Sequence, residues 1–319
     1  MSGVEHLREL LGLPVVTFQQ KAEEADLPAA DAVAWRIGVD PYDMDDEGGT
    51  WEDRFAAFLG TVDPSAVKAL VIGPWGEVYD DPSSYPVGLV VAAAHRLTSL
   101  EAVFVGDLVM EEAEISWIEQ SDVTALLTAY PGLTTLGVRG GTGLEFPPTC
   151  HASLRSLSIE AGGLPAEVVR GILDSELPAL ESLDLWLGVS NYGGDATLPD
   201  LAPLLSGTRF PRLHHLGLRN SELQNEIAAA IGSAPVVARL RTLDLSFGTL
   251  GDEGAAALLE GQPLHHLSSL DLHHHFLTEP MERRVKEALE PHGVRVDLSE
   301  RCTPWDGLGA EGRYTMVAE

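Results

Sequence analysis

Three hexads of the form Leu-x-x-Leu-x-Leu, each starting 27 residues after the last, constrain this chain more than any other feature. They are Leu213/Leu216/Leu218, Leu240/Leu243/Leu245 and Leu267/Leu270/Leu272. Alternation within a hexad is the period of a strand, and the Ala- or Leu-rich stretch after each hexad has the period of a helix. A unit of one strand and one return helix cannot bury its apolar face alone, so neighbouring copies must stack. The same apolar positions recur upstream, with copies opening at Val67, Leu100, Leu133, Leu154 and Leu180. In these copies the fourth and sixth positions are again apolar: Leu70/Ile72, Val103/Val105, Leu136/Val138, Leu157/Ile159 and Leu183/Leu185. Strand-like segments Ala34–Val39 and Val294–Leu298 bracket the series.

The expected fold is therefore α/β, an open solenoid of about ten parallel strands with helices on the outer, convex side. Residues 1–31 are expected to cap one end, 32–298 to form the solenoid, and 299–319 to form a tail that folds back onto the sheet or awaits a partner. Helix ends are readable. Asp252 opens a helix that stops at Gly261, Ser221 with Gln224 forms a capping box ahead of Gly232, and Pro131-Gly132 ends the one opened by Asp122.

Residues 240–259, Leu-x-x-Leu-x-Leu-Ser-Phe-Gly-Thr-Leu-Gly-Asp-Glu-Gly-Ala-Ala-Ala-Leu-Leu, resemble the ribonuclease-inhibitor-like class of leucine-rich repeats. That resemblance implies a horseshoe that binds other proteins along its concave sheet. The ninth repeat position departs from the class, holding Ser221, Gly248 and His275 where Asn or Cys is usual. A second resemblance rests on the Glu111–Ile118 stretch with its Glu-Ile-Ser-Trp-Ile core, Gln120-Ser121-Asp122, Arg139-Gly140-Gly141 and Arg313-Tyr314-Thr315. These are similar to an uncharacterised bacterial family whose genes neighbour those of ATP-grasp and radical-SAM proteins. It implies a partner role in a modification system without a chemical step of its own.

Charge narrows the partners. With 20 Lys and Arg against 49 Asp and Glu, the formal net charge is −29. Such a field repels phosphate, so nucleic acid and anionic membrane are not expected, while a basic protein would be steered inward. Cys150 and Cys302 are too few for a disulfide framework or a zinc site, no signal-peptide pattern opens the chain, and no apolar run reaches membrane length. A cytoplasmic location follows as an expectation.

Alternation puts the third, fifth and seventh strand positions on the concave face. This places Phe104, Arg139, Glu160, Asp184, Trp186 and Arg219 there as candidate partner contacts, with small residues beside them leaving room for a partner. The competing reading of Trp186 is that its own following loop, 188–195, covers it. Long loops leaving the N-terminal strands add Trp75, Tyr79, Glu114 and Trp117, an acidic and aromatic edge suited to a basic segment; alternatively the aromatics pin the loops to the rim.

Catalytic patterns are weak. Asp43-x-Asp45-x-Glu47-Gly48 begins like a calcium loop but has Arg54 where the bidentate glutamate belongs. There is no nucleophile elbow, phosphate loop or dinucleotide fingerprint, so the chain reads as non-enzymatic and without a cofactor. One alternative stays open. Asp244 and Asp271 should be lateral neighbours, with His273 two residues along, a set able to hold a metal in a substrate-presenting enzyme component. Regulation of a nucleotide-hydrolysing enzyme has no specific residue behind it.

Overall fold

The computed structural model describes residues 4–19, 27–39, 49–305 and 312–319. The calcium-like acidic segment lies outside these. Among the described residues twelve strands form one sheet in which sequence order is spatial order. They are β1 (Glu9–Leu10), β2 (Leu13–Thr17), β3 (Ala34–Val39), β4 (Ala69–Trp75), β5 (Ala102–Val105), β6 (Thr135–Arg139), β7 (Ser156–Glu160), β8 (Ser182–Gly188), β9 (His215–Ser221), β10 (Thr242–Asp244), β11 (Ser269–Asp271) and β12 (Arg295–Asp297). All pairs are parallel except β1–β2, a short antiparallel hairpin. The count exceeds the expected ten by two because residues 9–10 and 13–17, expected as irregular cap, join the sheet, 13–17 as a parallel strand beside β3.

The repeat reading sets the register. Leu70, Val103, Leu136, Leu157, Leu183, Leu216, Leu243 and Leu270 are successive lateral partners, one buried ladder across eight strands. A one-residue slip would turn that ladder to the other face, so its continuity holds every strand in place. Helices α1 (Trp51–Thr61), α2 (Ser84–Ala92), α3 (Thr124–Ala129), α4 (Ala166–Asp174), α5 (Leu198–Leu205), α6 (Gln224–Ile231), α7 (Asp252–Glu260) and α8 (Glu279–Leu289) return between strands. Their apolar residues, such as Phe58, Val169, Ile172, Leu204, Ile227 and Leu258, join the leucine ladder in one continuous core.

Local chemistry explains the helix starts. Thr50 and Asp53 form a reciprocal capping box on α1, and Thr197 with Asp200 does so on α5. The expected box at Ser221 is half made: the Ser221 hydroxyl accepts from Leu223 N–H, and Gln224 Oε1 accepts from Ser221 N–H. Asp252, read as a cap, instead bridges to the next repeat by accepting from the backbone N–H and hydroxyl of Thr278.

The face away from the helices is not uniformly open. A second apolar cluster lies on it, made of Ala34, Ala69, Val71, Ala102 and Phe104 with Leu13 and Val15 of β2 beside them, and Leu7 and Leu10 pack against it. Residues 5–10 thus fold over the sheet and cover its N-terminal half. Between β8 and β12 that face carries polar residues.

Candidate functional site

The covered half of the sheet is locked by a buried ionic network. Asp107, in the loop after β5, is fully buried and accepts from Leu7 N–H at 2.9 Å and from Arg36 Nε at 2.7 Å. Arg139 at the end of β6 pairs with Glu160 at 2.7 Å, donates to Leu108 O at 2.6 Å and to Glu5 O at 3.1 Å, and lies 5.5 Å from the Phe104 ring. Each of its three guanidinium nitrogens thereby has a partner inside the chain. Phe104 and Arg139 are therefore buried fastenings of the N-terminal segment, and half-buried Glu160 holds Arg139 in place. The small residues beside them leave room for the chain's own side chains: a Cβ on Gly137 would collide with the Phe104 ring, and one on Gly73 would stand 2.9 Å from the Arg36 guanidinium.

Further along, Arg219 organises the exposed half. Its guanidinium sits 5.1 Å from the Trp186 ring and 4.2 Å from the Phe247 ring, and reaches Asp184 at 3.4 Å and Asp244 at 3.2 Å. Trp186, 7 % exposed, meets Phe247 edge-on at 5.2 Å. Indole burial is one of the two readings of this residue, and Arg219 and Phe247 take part in covering it. Gly217 is again a clearance, since a Cβ there would meet the Asp184 carboxylate at 2.7 Å.

Electrostatics sort the carboxylates of this face. Burial would push Asp184 up, yet His215 and Arg219 beside it hold its carboxyl below the usual range. Asp244 goes the other way: burial raises it, and neighbouring Asp184 and Asp271 add to that against the pull of Arg219. Burial lowers His273, but its 2.7 Å hydrogen bond with Asp271 and the charges of Asp271 and Asp244 together outweigh this and leave the imidazole above its ordinary value. Asp271, His273 and Asp297 bring ligand atoms within 4.8 Å of one another. The metal candidate thus changes membership. Asp244, paired with Arg219, gives way to Asp297, the lateral partner of Asp271.

The loop edge divides similarly. Trp75 is a buried strand residue whose Nε1 donates to Asp81 O at 2.8 Å, not an exposed contact. Tyr79 and Trp117 are exposed at 37 % and 57 %, and Glu114 is half-buried. The sequence reading missed Met110, 60 % exposed, because it sought aromatic anchors alone. The 73–86 and 106–120 loops are laterally joined, with Glu119 N–H donating to Val78 O and Ser83 N–H to Glu119 O. The same two loops carry exposed Glu77, Asp80, Asp81 and Glu111.

Taken together, fold and surface define an α/β protein with a repeat-like open sheet and an acidic, partly apolar loop edge. No family model and no curated protein matches the sequence. Among solved structures, the crystal structure of a Bacteroides fragilis protein from a structural genomics consortium is similar, with 32 % sequence identity and a TM-score of 0.79. The match covers 88 % of this chain and 76 % of that one, and this chain belongs to the same family as the Bacteroides fragilis protein. No helix among the described residues is long and apolar enough to cross a membrane.

Proposed function

We propose that this chain is a non-enzymatic scaffold of the leucine-rich-repeat type that holds a partner protein against its loop edge. The observation that carries the reading is the exposure of Trp117, Met110 and Tyr79 on two hydrogen-bonded loops that also carry exposed acids, with Tyr85 exposed in the first turn of α2 that follows one of them. Exposed Trp and Met are residue types that anchor interfaces, while acids on the same loops favour a basic partner and speed its approach. The network around Arg139 supports the role by fixing the platform rather than by touching the partner.

The test is affinity capture from the native host at physiological salt, comparing wild type with Trp117→Ala/Met110→Ser. These exposed side chains contribute little to stability, so circular dichroism should be unchanged. A stoichiometric partner that the variant loses is the expected result. A partner held equally by both proteins overturns the choice of edge.

The grouping of Asp271, His273 and Asp297 favours a second reading, in which the chain presents a substrate in a modification system with a divalent metal at the far end of the sheet. Elemental analysis of protein prepared without chelator separates the two: a stoichiometric metal lost in His273→Ala supports it, and metal-free protein removes it.

A further inference from the structure

Residues 312–319 do not hang free. They run across the turns where strands exit, passing from the C-terminal copies back towards the 106–120 loop. The Tyr314 ring packs against Trp305, Phe276 and His274, with centroids at 4.8, 5.2 and 5.7 Å. Thr315 and Val317 are buried. Main-chain groups are matched in turn: Met316 N–H donates to Phe247 O at 2.8 Å, and Ala318 O accepts from the Ser116 hydroxyl at 2.5 Å.

Between them, the Asn220 side chain clasps one residue at both ends of its peptide geometry. Its Oδ1 accepts from Val317 N–H at 3.0 Å, and its Nδ2 donates to Val317 O at 2.6 Å. Asn220 is fully buried and sits at φ 52°, a left-handed conformation that Asn tolerates better than most residues. Its amide is a ready-made partner for an extended backbone, whatever the side chains. The floor is cleared as well, since a Cβ on Gly162 would collide with Ala318 O.

Main-chain pairing plus alternate buried side chains is how proteins read extended peptides. We propose that this channel is a peptide-binding site, filled in cis by residues 313–319, which accepts an extended segment of a partner protein in exchange. The fitting segment has an aromatic residue at the Tyr314 position, β-branched residues at the Thr315 and Val317 positions, and a small residue after them. This site is separate from the proposed loop edge, although Ser116 places its far end one residue from Trp117. Its failure would leave the partner-capture result untouched.

The probe is a fluorophore-labelled peptide with the sequence of residues 313–319, read by anisotropy against a variant lacking those residues. The expected result is saturable one-to-one binding, at least tenfold weaker to the full chain because the cis segment competes at high effective concentration. Asn220→Leu in the truncated protein, or Val→Asp at the 317 position of the peptide, should each abolish it. A folded truncated protein that ignores the peptide, or binds a scrambled one equally, overturns the proposal. Should truncation prevent folding, a protease site placed within residues 306–311 allows cleavage after folding. The labelled peptide should then replace the cut segment, and failure to exchange at any concentration overturns the proposal equally.

Discussion

Residues that share a strand position need not share an environment. Phe104, Gly137, Ser158, Asp184, Gly217, Asp244 and Asp271 form one lateral row, yet it passes from buried and apolar to acidic and half-exposed. Alternation states which face a side chain leaves from and says nothing of what comes over that face. Hence Phe104, Arg139 and Trp186 read as surface anchors and are covered. One signal was present: Ala69-Leu-Val-Ile and Ala102-Val-Phe-Val are apolar at every position, the pattern of strands buried on both sides. His275 was read more closely. Standing at the ninth repeat position, it accepts from Leu277 N–H through Nδ1 and donates to Leu298 O through Nε2, a neutral tautomer held at full burial. Burial leads in keeping its pKa below the ordinary 6.5, and His274 is lowered for the same reason. The unfolded chain therefore binds the proton first, so their stabilisation is complete above pH 6.5 and declines as pH falls below it. His273, with a raised pKa, contributes in the opposite sense: present below 6.5 and lost as pH rises through its folded value. The urea midpoint of wild type should fall more steeply below pH 6.5 than that of His275→Gln; parallel curves would show that this imidazole is not the acid-sensitive group.

Elements were largely legible where the period is strict. The copies from Leu213 onward gave their strands and three of their helices within a few residues, because apolar spacing, capping acids and terminal glycines agree there. The N-terminal segment was not, since two short strands around Gly12 have too few residues to show a period. Yet β1 and the residues before it carry weight. Leu10 is buried over Val71 and Phe104, and Leu7 N–H caps the buried Asp107 carboxylate. Leu10→Ala should cost about 2 kcal/mol, near the low end for a buried leucine because the site lies at a rim where neighbours can relax. A denaturation curve checks the magnitude, and increased binding of a hydrophobic dye at low denaturant would show the hairpin lifting first. A variant as stable as wild type would mean that the ionic network alone holds the segment.

At the scale of the whole molecule, the sequence showed the series of copies and their acidity but not how its two ends are tied. Nothing in a local pattern reveals that Ser116 and Ala318, 202 residues apart, share a hydrogen bond. Stacked repeats ordinarily contact nearest neighbours alone, so they fray from either end, each copy melting at the strength of its own interface. The segment from Tyr314 to Ala318 changes that arithmetic. It touches the copies ending in Phe276, Phe247 and Asn220 and then the loop at Ser116. No copy within that span can peel away without also releasing contacts to its distant fellows. A linear array of weakly coupled steps is thereby converted into a cooperative unit, and its closing contact, the one of longest sequence separation, is the last to profit from loop-closure entropy already spent on the rest.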